Sequence, residues 1–191
     1  MIAREDLARS LSAFRAEGAA EEESLARIRA LVRDAPDPFT RAVEDHITAS
    51  AVVARPDGGA FLLVYHRRLE RWLQPGGHVE PDDPSVFEAA RREAREETGV
   101  EDLAAPFGGR VLDVDVHPIP ARPGRPAHVH FDLRHLLTTT ATQFSVAAEE
   151  VRRADWFTFE EALAAGVDAS LARALQKARA LLGELEPRRP G

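Results

Sequence analysis

Three carboxylates, Glu93, Glu96 and Glu97, fall at i, i+3 and i+4 of a segment whose composition favours a helix. That spacing puts them on one helical face, with about 6 Å between neighbouring Cβ atoms. Ala89, Ala90 and Ala94 support a helix over residues 82–98, and Gly99 supplies its stop. Just upstream, Gly76-Gly77 allows a sharp turn in which backbone amides can approach a phosphate. Like charges so crowded repel. They are tolerated as a solvated face quietened by the i,i+4 pairs Glu88–Arg92 and Arg92–Glu96, or as oxygen ligands to a hard cation such as Mg²⁺ or Mn²⁺. The glycines on both sides favour the second reading.

The flanking chain alternates between helical and strand patterns. Leu7, Leu11 and Phe14, then Leu25, Ile28 and Leu31, recur at helical spacing on either side of Gly18, which predicts two amphipathic N-terminal helices. Pro36 and Pro38 end that region and put a boundary at residues 34–45. Residues 47–53 and 60–65, separated by Pro56-Asp57-Gly58-Gly59, read as a hairpin. Strands are expected again at 111–116, 129–133 and 155–159, with a proline-rich loop over residues 118–126, followed by helices at 160–164 and 171–185. The order implies an α+β chain with a layered α/β/α arrangement, divided into a helical extension (1–40), a catalytic-type domain (41–186) and a frayed tail (187–191). The Leu and Phe stripes of the extension either pack on the core or bury an interface in a homodimer.

Charge narrows the partners. With 32 acidic against 25 basic residues, a net charge of −7 opposes a non-specific nucleic-acid binder, so an anionic substrate must be met by local cations or by a metal. The chain contains no Cys, which removes disulfides, thiolate metal sites and a cysteine nucleophile together. No apolar run approaches the ~20 residues of a membrane span and no export signal is visible, so a cytoplasmic protein without membrane contact is expected.

The segment 77–100 resembles the signature box of the Nudix hydrolases: Gly, five residues, Glu, seven residues, then Arg-Glu-apolar-any-Glu-Glu-any-Gly-apolar. Gly77 opens it, and Arg92-Glu93-Ala94-Arg95-Glu96-Glu97-Thr98-Gly99-Val100 fills its second half. The first half departs from the pattern, because Asp83 stands where Glu is expected and eight residues separate it from Arg92. Either Asp83 serves, with one residue inserted before a helix that has Pro84 in its first turn, or Pro84 holds the acidic position and that carboxylate is missing; the first is favoured. The element order over residues 46–185 also resembles the family's α/β/α sandwich with a mixed sheet.

The resemblance implies cleavage of a phosphoanhydride bond in a nucleoside diphosphate derivative or nucleoside triphosphate, with Mg²⁺ or Mn²⁺ held by Glu93, Glu96, Glu97 and Asp83. It further implies that Arg92 orients a box carboxylate; the general base is not fixed by the box, and since some members use a Glu ahead of the last strand, Glu150 beside Glu149 is either that base or one of two exposed loop glutamates. The alternative is a sensor or binding module on the same fold without turnover. An isomerase branch of the fold is disfavoured by the missing cysteine.

Three further sets are candidates for the phosphorylated small-molecule substrate. Gly77 offers its backbone, and Arg67 stands close upstream of the double glycine, where a solvated role is equally open. His128, His130, Asp132 and Arg134 share one face of a strand whose other face carries Val129, Phe131 and Leu133. That face is half-solvated, or faces the substrate with the histidines and Arg134, or forms a separate His-His-Asp metal site. Trp72 is read as packing and His78 has no role assigned.

Overall fold

The computed structural model describes residues 2, 4–40, 45–121, 124, 126–146 and 149–185; the expected tail at 187–191 lies outside them. Helices α1 (Arg4–Ala13) and α2 (Ala19–Asp34) precede β1 (His46–Ala54), β2 (Phe61–His66), β3 (Arg71–Leu73) and β4 (Gly76–His78). Helix α3 (Val86–Thr98), β5 (Val111–Ile119), β6 (His128–Thr138), β7 (Val151–Phe157), α4 (Phe159–Ala164) and α5 (Ala169–Leu185) follow.

All seven strands join one mixed sheet with the path β3-β2-β1-β6-β5, β4 pairing with β1 and β7 with β2. Only β1 and β6 run parallel, from His46 opposite His130 to Ala54 opposite Thr138. The expected β1–β2 hairpin forms, but its strands stay paired only at Val53–Leu62 and Ala54–Phe61. They then diverge, and β4 takes the vacated edge of β1 by pairing Gly76, Gly77 and His78 with Ser50, Ala49 and Thr48. Strand β1 is buried along its whole length because helices cover both faces. Ile47, Ala49, Ala51 and Val53 pack with α1, α2 and α3, whereas Val52 and Ala54 pack with α4 and α5.

The N-terminal helices are thus part of the main core. Leu7, Leu11, Phe14, Leu25 and Ile28 are buried against Ile47, Val114 and Phe131, so their stripes are spent within the chain and not on a second copy. Strand β5 is the sheet's edge, and an open edge invites pairing with another chain. Side chains from two helices close it: the Val114 amide donates to Glu21 of α2 (3.3 Å), and Arg173 of α5 donates to the Val114 carbonyl (3.0 Å). Lys177 of α5 reaches both Glu21 oxygens at 2.5 and 2.6 Å, and Arg173 binds Asp113 of β5 through two bonds of 2.7 and 2.9 Å. Burial raises the Glu21 pKa, with Asp113 adding to the rise and Lys177 opposing it.

Several expected boundaries move. The third helix starts at Val86, since the Ser85 hydroxyl caps it by accepting from the Glu88 amide (3.1 Å), so Pro84 precedes the helix and is not in its first turn. Strand β5 runs through Pro118 into the expected loop, which an edge strand tolerates because a missing amide there costs no ladder bond. The last strand spans Val151–Phe157, and Thr158 begins α4 with a capping box to Glu161. Strands β3 and β4, three residues each, show no alternation and were not expected. Among the described residues no helix is long and apolar enough to cross a membrane.

Lys177→Met leaves Glu21 buried without its nearest cation. Such a break costs about 3–5 kcal/mol, read as a lower midpoint in urea unfolding; an unchanged midpoint contradicts the clamp.

Candidate metal and phosphate site

Helix α3 is fixed at both ends, by Ser85 and by Gly99, whose left-handed backbone lets its amide reach the Arg95 carbonyl (2.7 Å). Its carboxylates face β4. A Cβ at Gly77 would lie 2.7 Å from the Glu93 carboxyl, so glycine there lets the functional side chain pack on bare backbone. At Gly76 a Cβ would strike Ser50, and the Gly76 amide donates to Glu97 (3.0 Å). The double glycine therefore serves the carboxylates directly.

Glu93 and Glu97 are turned inward and Glu96 outward: their side chains are 13% exposed for Glu93 and 56% for Glu96, and Glu97 is buried. Burial drives the Glu93 pKa up to about 7, with Arg92 opposing and Glu96 and Glu150 adding to the rise. Burial likewise drives Glu97 up to about 8, against the Gly76 amide and with help from Glu93, Glu150 and Glu96. Glu150 sits on the exposed turn before β7, where its carbonyl accepts from the Arg67 amide (2.8 Å). This bond brings Arg67 and Glu150 together on the side where the Glu150 charge is felt by both inner carboxylates.

Arg92 organises the cluster. Its Nε and Nη2 donate to the two Asp83 oxygens at 3.0 and 2.9 Å, Nη1 to Glu93 (3.0 Å) and Glu96 (3.1 Å), and Nη2 to the His78 carbonyl (2.8 Å). Burial opposes the Asp83 charge, but Arg92 and the Glu80 amide (2.7 Å) outweigh it and hold its carboxyl below the usual range. Both Asp83 oxygens thus accept from Arg92, and one of them also from the Glu80 amide of the turn. In this arrangement Asp83 acts as a clasp that holds the Arg92 guanidinium against Glu93 and Glu96.

Strand β6 does not take the half-solvated form that was one of its three readings. Asp132 is buried and accepts from Thr48 (3.0 Å), Ser50 (2.9 Å), Gln74 (3.3 Å) and Arg134 (3.2 Å). Arg134 is buried and bound also to Asp113 (3.1 Å), Ser170 (2.7 Å) and Asp115 (3.5 Å). Its guanidinium is spent on carboxylates, which corrects its reading as a substrate ligand. His128 and His130 gather with His46, His78 and His117, five of the seven histidines in the chain. Burial first, then His46, His117, His78 and His128, push the His130 pKa far below the ordinary imidazole range. The sequence reading gave His46, His78 and His117 no part in this, and strand pairing is the signal that would have joined them: His130 is opposite His46 on one side and His117 on the other. Trp72 packs edge-on to Tyr65 and Phe157, as expected.

The donor set on α3 is entirely oxygen, a chemistry that suits a hard dication: Glu93 and Glu97 face inward, and the exposed Glu96 is joined to Glu93 through Arg92. A family model for the NUDIX domain matches residues 44–178. No curated protein matches significantly. Among solved structures, a Nudix-family hydrolase from Clostridium perfringens is similar at 27% identity and a TM-score of 0.51, over 74% of this chain and 98% of that one. A MutT Nudix hydrolase from Burkholderia pseudomallei shares 23% identity and a TM-score of 0.52, over 69% and 95%. An Ap4A hydrolase from C. elegans shares 21% and 0.50, over 72% and 99%. With the domain match spanning most of the chain and the box residues folded around a charged α3–β4 pair, this chain belongs to the Nudix hydrolase family.

Proposed function

We propose that the chain hydrolyses a phosphoanhydride bond in a nucleoside diphosphate derivative or a nucleoside triphosphate, by attack of water on phosphorus with Mg²⁺ or Mn²⁺ bound. The observation that carries the reading is the excess of inward-facing carboxylate on α3. Among the described residues Asp83, Glu93 and Glu96 share Arg92, while Glu97 is held by one backbone amide. Glu93, Glu96 and Glu97 would hold the metal, which when bound neutralises phosphoryl oxygens and acidifies a water. Arg92 fixes the rotamers of Glu93 and Glu96, and the Gly76–Gly77 backbone fixes the distance between helix and sheet. Glu150 takes the proton from the attacking water, its carboxylate being carried by an exposed turn beside the cluster. Arg67, on the adjoining turn, contacts a phosphate.

A cavity of about 900 Å³, lined by Val79 and Pro81 on the box side and by Pro36, Pro38 and Phe39 on the other, supplies apolar walls for the remainder of the substrate. The Leu and Phe stripes being spent on the core, the reading requires no second copy of the chain. A cytoplasmic location accords with the cysteine-free composition.

The reading is tested with nucleoside triphosphates, sugar and dinucleoside polyphosphate derivatives, Ap4A included, in ¹⁸O-water with Mg²⁺ or Mn²⁺. Label on a phosphorus product supports it; tight binding of a panel member without turnover of any indicates the sensor instead. Glu97→Gln is expected to lower kcat about 100-fold or more, as for loss of several kcal/mol of transition-state stabilisation, with the melting temperature maintained. Asp83→Asn does the reverse in kind, lowering the melting temperature while Mg²⁺ affinity, read by calorimetry, stays within a few-fold; a matching loss of Mg²⁺ affinity would return Asp83 to the ligand set. Glu150→Gln should lower kcat by about 10²–10⁴ with Mg²⁺ affinity intact, and wild-type turnover would remove it as the base.

A further inference from the structure

The histidine cluster lies at the ends of four strands and is built from residues that the hydrolase reading does not use. His46 opens β1, His78 closes β4, His128 and His130 open β6, and His117 lies on β5. Strand pairing sets His46 and His117 on either side of His130, and places His78 opposite Thr48, two residues along from His46 on the same face of β1. The rings of His46 and His130 meet edge to face at 4.9 Å between centroids, those of His78 and His130 at 5.5 Å, and those of His46 and His78 stack at 5.1 Å. One ring nitrogen from each of His46, His78 and His130 lies within 4.8 Å of the other two.

Hydrogen bonding prepares one of these nitrogens. Nδ1 of His128 is 3.1 Å from the Pro126 carbonyl, which can only accept, so Nδ1 carries the proton and Nε2 presents a lone pair. That lone pair faces Nε2 of His130 at 3.2 Å, which donates to it, and the lone pair of His130 is left on Nδ1. A ligating imidazole whose other nitrogen donates to a fixed acceptor is the usual outer arrangement of a histidine metal site. The His-His-Asp set suggested by the strand pattern does not form, since Asp132 is taken by Thr48, Ser50, Gln74 and Arg134.

We infer that His46, His78 and His130 form a second metal site, selective for a borderline transition-metal dication such as Zn²⁺, with a fourth position open to water. Three neutral nitrogens suit Zn²⁺, Co²⁺, Ni²⁺ or Cu²⁺ and disfavour Mg²⁺, the opposite of the all-oxygen set on α3. A tetrahedral ion with Zn–N of about 2.0–2.1 Å draws the nitrogens closer than they stand, a movement within reach of side-chain rotation. The site is also linked to the box, because the His78 carbonyl accepts from Arg92 (2.8 Å).

The test is titration of the tag-free full chain with Co²⁺ and with Zn²⁺ in the presence of excess Mg²⁺. One equivalent of Co²⁺ giving the intense visible absorption of a tetrahedral nitrogen-ligated ion, displaced by Zn²⁺ and not by Mg²⁺, is expected. His78→Gln and His130→Gln should each weaken Zn²⁺ binding by more than the 10–100-fold that loss of an outer partner costs, with circular dichroism confirming the fold. Glu97→Gln should leave the Co²⁺ spectrum unchanged, which separates this site from the carboxylates. Failure of wild-type protein to bind Zn²⁺, a weak octahedral Co²⁺ spectrum, or a signal lost in Glu97→Gln and kept in His78→Gln would each overturn the inference, whatever the hydrolase assays show.

Discussion

The free edge of β5 is the constraint around which the molecule is arranged. An edge strand presents unpaired amides and carbonyls, and here the two groups of Val114 are answered by a carboxylate from α2 and a guanidinium from α5. Both side chains are charged, Glu21 fully buried and Arg173 half-buried, so each needs further partners. Glu21 takes Lys177, Asp113 takes Arg173 and Arg134, and Arg134 takes Asp115 and Asp132. Burying so many charges is affordable only because cations and carboxylates alternate along the chain of contacts.

That chain of contacts continues to the candidate site. Asp132 binds Ser50, Ser50 lies against Gly76, and the Gly76 amide binds Glu97. The molecule consequently holds two acidic groups treated in opposite ways. Around Asp113 the negative charge is matched by Arg134, Arg173 and Lys177. On α3 it is left in excess over Arg92, and the inner carboxylates are pushed towards neutrality by burial and by each other. The unmatched group is the one that the proposed function gives to a cation.

The helix bearing Glu93, Glu96 and Glu97 was legible because its spacing and its glycines are local features, and so was the layered α+β order, carried by periodicity in α1, α2 and α5. Residues whose role depends on distant pairing were not. Arg134 reads as a cation on a polar strand face; only the proximity of Asp113, Asp115 and Ser170 turns it into part of the core. Asp83 sits at the place where the box departs from its pattern, and sequence alone does not distinguish a ligand from a clasp. The histidines are scattered from position 46 to 130, and it is the strand register that brings them together.

The clamp on β5 also imposes an order in time. Glu21 and Asp113 are made before Arg173 and Lys177, which belong to α5, the last of the described elements. A chain emerging from the ribosome can therefore assemble most of its sheet while its outer strand is still uncovered, Asp113 is paired with Arg134 alone and Glu21 awaits its counter-charge. Completion of α5 supplies both the cover and the missing cations, so this helix acts as a latch, and a nascent chain stalled before it would carry an adhesive edge for as long as the stall lasts.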